Sequence, residues 1–118
     1  NDLKASYGVM PGYNLHSVWD GLLADRAISA APTIIRHFSE TEKAAISSGT
    51  ARDWSEENWA VSRDYAYTRA VDGDPCGPKP ANPVIIDEAD VAASRAALRQ
   101  QVERGGLRLA KLLDEALS

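Results

Sequence analysis

His16 and Asp20 stand four residues apart in Asn14-Leu15-His16-Ser17-Val18-Trp19-Asp20. Residues at that spacing share one helix face, so an imidazole nitrogen and a carboxylate oxygen there can reach one cation. Zinc suits such donors, and a zinc site takes three or four of them, so the pair supplies only part of a set. Leu15, Val18, Trp19 and Leu22 fall at i, i+3, i+4 and i+7 of the same helix and form an apolar stripe. The stripe adjoins the pair, which predicts that the pair faces inward at the edge of a core. Ionisable groups placed there need partners, because unpaired buried charge is costly. A hydrogen-bonded His–Asp ion pair has the same spacing, and spacing alone leaves both readings open.

The elements that must position this pair are helical. Asn14 is a fitting N-cap, and the helix it opens is expected to run to about Ile28. Pro32 then starts a new helix or a turn. Ser39-Glu40-Thr41-Glu42 has capping-box form and predicts a helix over 40–48, ended by Gly49. Asp53 or Thr50 caps the next helix, which carries Trp54, Val61, Tyr65 and Ala66 inward. Residues 71–83 are rich in Pro and Gly and read as a loop. Asp87 opens the longest helix, to about Leu117, with Val91, Leu98, Val102, Gly105, Leu109, Leu112 and Ala116 recurring at helical spacing. Gly105 and Gly106 in its interior mark a close helix–helix approach or a kink. The expected fold class is all-α, with four or five helices and the terminal helix packed against the His16 and Trp54 helices.

Composition narrows the function classes. The 118 residues suffice for one domain, and 44% apolar with 25% charged residues is ordinary for a soluble globular chain. No apolar run approaches the ~18 residues that span a bilayer, so no membrane partner is expected. A net charge of −4 argues against a coat that binds polyanions by charge alone. It leaves room for a site where bound metal supplies the positive charge. The single cysteine, Cys76, reads as a free thiol in an exposed loop. His37 lacks a partner at metal spacing and reads as a structural or surface residue. Trp54 and Trp59 read as core packing, with base stacking as the alternative. Asp25, Asp87 and Asp90 are solvated or capping charges, and Tyr7 and Tyr13 are candidates for a cleft wall.

The wording around the pair adds a resemblance. Asn-Leu-His-x-x-Trp-Asp resembles the metal helix of the S1/P1 nuclease family. Trp54-Ser55-Glu56-Glu57-Asn58, followed by Ala66-Tyr67, is similar to the family's Trp-Ala-x-Glu-Ser helix that ends in Val-Tyr, with Asn58 where Ser is usual. Gly105-Gly106-Leu107-Arg108-Leu109-Ala110 is similar to its Ala-Gly-x-Arg-Leu-Ala. Asn1, fifteen residues before His16, looks like the Asn of the family's Gly-Gly-Asn turn.

The resemblance implies a zinc-dependent enzyme that cuts single-stranded DNA and RNA to 5′-mononucleotides, with 3′-nucleotidase activity in many members. It implies a cluster of three zinc ions, with His16 and Asp20 as ligands of one of them and Asn1 as a nucleobase contact. The other ligands belong to the family's N-terminal half, including a Gly-Asp-x-His-Gln-Pro-x-His segment that this sequence does not contain. Residues 1–118 are thus expected to be the C-terminal part of one phospholipase C/P1 nuclease-like domain, partnered by that half. No catalytic residue beyond the metal ligands is expected in this chain. A disulfide from Cys76 to the other half, and a secreted or periplasmic location, are implied in the same way. The alternatives are a zinc phospholipase C, whose matching helix typically pairs His with Glu, and a helical interaction module without catalysis.

Overall fold

The computed structural model describes residues 14–71, 74, 76–78, 80–82 and 84–118. The described residues are helical or irregular, with no strand, as the all-α expectation requires. The first helix is continuous through α1 (Leu15–Ser17), a wide-turned π segment π1 (Val18–Leu23) and α2 (Ala24–Ser29). Asn14 caps it: its Oδ1 accepts from the Ser17 backbone N–H at 2.8 Å, and Ser17 Oγ accepts from the Asn14 N–H at 3.0 Å. An irregular stretch with a cis Ala31–Pro32 peptide leads to α3 (Glu40–Ile46). Pro32 therefore begins no helix.

Two capping boxes set the next boundaries. Ser39 and Glu42 close the start of α3, and Thr50 and Asp53 close that of α4 (Ala51–Val61), so Thr50 is the cap and Asp53 its reciprocal partner. Between them Gly49 takes a positive φ of 84°, a conformation that glycine adopts without a Cβ penalty. The α4 helix continues through a second π segment, π2 (Ser62–Tyr67), into α5 (Thr68–Val71). The long helix α6 (Glu88–Leu117) begins after Asp87, whose carboxylate accepts from the Asp90 N–H at 2.9 Å.

The core lies where α6 crosses the first helix. Val18, Leu23, Ile86 and Val91 are buried together, with Leu15, Trp19, Leu22 and Leu98 packed around them. Each π segment shifts the register of burial. In the first helix the deep positions are Val18, Leu23 and Ala27, five and then four residues apart. The second repeats the pattern with half-buried Val61 and buried Ala66 and Ala70. An α-period stripe puts Leu22 in the deep position; the extra residue of the wide turn gives that place to Leu23.

The distal part of α6 corrects another expectation. Its first turns bury Val91, Ser94 and Ala97, but further on the buried residue is Arg108, while Leu109 and Leu112 are about half exposed. Among the described residues Gly105 and Gly106 mark no close approach and no break. A Cβ at either would meet nothing within 4 Å, and α6 is one uninterrupted helix. Trp59 is also not a core residue: it is 61% exposed, beneath the Arg63 guanidinium. No helix among the described residues is long and apolar enough to cross a membrane.

Candidate metal centre

His16 lies in α1 and Asp20 in π1, on one continuous helix. Both are exposed, so the expectation of an inward-facing pair is corrected. The stripe that does face inward is the one running through Val18 and Leu23. Neither side chain makes a hydrogen bond or ion pair with the described residues, and the two do not pair with each other. The ion-pair reading of the spacing therefore fails, and neither group has a partner among the described residues.

These atoms fit part of a zinc set: an imidazole and a carboxylate on adjacent turns. Among the described residues no group of three His, Cys, Asp or Glu side chains gathers in one place. Any further ligand has to come from elsewhere. Asn1, Tyr7 and Tyr13 lie outside the described residues. His37 is exposed, and Cys76 is a free, exposed thiol whose backbone N–H donates to Asp74 Oδ1 at 2.9 Å.

Beside His16 the two π segments flank a cavity of about 280 Å³. His16 and Trp19 line it from the first helix, Asn58, Ser62 and Tyr67 from the second, and Gln101 from α6. Widened turns inside α-helices recur at functional sites, because they re-aim side chains that an α-period would turn away. Gly21 in π1 has no Cβ to crowd the wider turn. Nothing in Ser62–Tyr67 marks the second widening.

The helix carrying the pair is held from behind by Arg99 of α6. Its Nη1 donates to the carbonyls of Ala27 at 2.6 Å and Ala30 at 3.0 Å, and its Nη2 donates to that of Pro32. The Ala27 and Ala30 carbonyls belong to the helix end, where carbonyls lack intrahelical partners, and that of Pro32 lies just beyond it. Sequence reading missed Arg99, since its partners lie about seventy residues away and are backbone atoms.

The other two motifs meet in space. Arg108 donates from both terminal nitrogens to Glu57, at 3.1 and 2.9 Å, and from Nε to the Ile46 carbonyl at 3.1 Å. Its guanidinium carbon lies 5.2 Å from the centre of the Trp54 ring, whose Nε1–H donates to the Ser48 carbonyl at 2.7 Å. Arg104 adds a second contact to Glu57 at 3.0 Å. The Arg108 hydrogen bonds, with the nearby Arg104 charge, hold the Glu57 carboxyl below its ordinary range. Three motifs thus fall on three packed helices, and over residues 1–118 the chain matches the family described as S1/P1 Nuclease.

The chain belongs to the S1/P1 nuclease family. Searches of curated proteins and of solved structures returned no match. For an S1/P1 nuclease the arrangement is coherent. The His16–Asp20 motif leaves both side chains without a partner among the described residues, and the Trp54 and Arg108 motifs clamp the supporting helices together.

Proposed function

We propose that this chain supplies His16 and Asp20 to one zinc site of a nuclease that cuts single-stranded DNA and RNA to 5′-mononucleotides, with accompanying 3′-nucleotidase activity. The observation that carries the reading is that both donor groups are exposed and unpartnered among the described residues, on one helix beside a cavity. The remaining ligands of a three-ion cluster come from an N-terminal half, of which residues 1–118 are the continuation. Secretion or a periplasmic location follows from the same family reading.

Zinc bound there supplies positive charge at the scissile phosphate and acidifies water. That matters in a chain whose own net charge is −4. The protein's part is placement. Asn14 starts the helix, Val18 and Leu23 seat it, and Arg99 fixes its far end. Asn1 is assigned a hydrogen bond to a base edge, which only an unpaired base presents freely.

The test is His16→Ala and Asp20→Ala in the enzyme carrying both halves. Each is expected to lower hydrolysis of single-stranded DNA at least a hundredfold and to remove about one zinc ion by elemental analysis. Turnover and metal content equal to the parent's would take this helix out of the site. Hydrolysis of phosphatidylcholine in place of DNA would transfer the assignment to a phospholipase C.

A further inference from the structure

We propose that the cavity between the two π segments is a nucleobase subsite, read by the Gln101 carboxamide. The inference rests on the nuclease reading for its substrate class but not for its geometry. Both Nε2 and Oε1 of Gln101 are buried and have no hydrogen-bond partner among the described residues. A buried amide left in that state is costly, and Leu at this position of α6 would avoid the cost. Gln101 lines the cavity together with Asn58, a second amide, and with Trp19, Tyr67 and Leu98 as apolar walls.

The lining selects the ligand's chemistry. It contains no Lys, Arg, Asp or Glu, so away from His16 at its edge the lining offers nothing that would hold a phosphate or a cation. Two amides among aromatic and aliphatic surfaces fit a flat, neutral heterocycle with adjacent donor and acceptor atoms. A carboxamide matches such an edge in bidentate fashion, as Gln does with adenine. Aromatic side chains suit the faces of an unstacked base. His16 lines the same cavity, so the proposed base site adjoins one of the two groups assigned to zinc. Base recognition and phosphoester chemistry are thereby coupled through one helix.

The test is an NMR titration of the metal-free enzyme carrying both halves with adenosine 5′-monophosphate, with ribose 5-phosphate as the base-free control. The Gln101 side-chain amide and Trp19 indole signals are expected to shift saturably with the nucleotide only. Gln101→Leu is expected to weaken that binding at least tenfold while raising the melting temperature, since it removes an unpartnered amide. Equal shifts with ribose 5-phosphate, no shifts, or undiminished binding by the variant would overturn the proposal. So would a lowered melting temperature, which would reveal a structural partner for the amide. In the zinc-loaded enzyme with both halves, Gln101→Leu is expected to lower kcat/KM for a dinucleotide at least tenfold relative to methyl p-nitrophenyl phosphate. An unchanged ratio would sink the subsite and leave the nuclease intact. An enzyme that hydrolyses neither ester would sink the nuclease reading and leave the titration standing.

Discussion

The Glu57–Arg108 pair shows how much one contact carries in this fold. Arg108 is among the most buried charged side chains described, and its guanidinium serves a carboxylate, a carbonyl and an indole face at once. Removing it strands Glu57 against the remaining Arg104 and frees the Ile46 carbonyl. Arg108→Met is expected to cost about 2–3 kcal/mol, toward the low side for a broken ion pair because the Glu57 side chain is about a third exposed. Chemical denaturation of the two chains measures it. The sign of the pH dependence follows from the lowered Glu57 carboxyl. Its contribution is fully present above the ordinary carboxylate value of 4.5 and is lost as pH falls through the lower folded-state value. The stability gap between parent and Glu57→Gln should therefore be constant at neutral pH and close in acid. A gap that widens in acid would contradict the assignment. Both residues were legible as parts of family motifs, but their pairing was not. With 17 acidic and 13 basic residues, sequence gives no rule for which ones meet across fifty positions.

At the scale of elements, sequence reading succeeds where the determinants are local. Asn14, Ser39, Thr50 and Asp87 each cap a helix through a side chain three residues from its partner, and the boundaries follow. It fails where packing decides. The π segments displace Leu22 in favour of Leu23, and no pattern of apolar residues distinguishes a five-residue step from a four-residue one in advance. Arg99 is the long-range device of greatest consequence, since it ties the end of the His16–Asp20 helix to α6. Arg99→Met is expected to destabilise the chain by about 2 kcal/mol, the scale of charge-assisted hydrogen bonds. Faster amide exchange should be concentrated in Ala24–Ser29. Arg99→Lys should recover only part of the loss, because a single ammonium cannot reproduce a fork that spans several carbonyls. Uniformly faster exchange across the chain would show that Arg99 supports the fold generally and not this helix end.

Taken together, the described residues leave apolar surface uncovered at one end: Leu109, Leu112, Leu113 and Leu117, about half exposed or more, lie on the far half of α6 with Gly105 and Gly106. This surface supports the proposal that a second part of the enzyme completes the core. The glycines give a way to test it. In the 118-residue chain a Cβ at either position meets nothing, so Gly105→Ala with Gly106→Ala is expected to stabilise by about 1.5–2 kcal/mol through helix propensity alone. In the enzyme carrying both halves the same changes should lose that gain, because a covering segment would meet the added methyl groups. Thermal unfolding of both forms decides it. An equal gain in each would mean that this end of α6 faces water throughout, and that the missing zinc ligands approach His16 and Asp20 from another side.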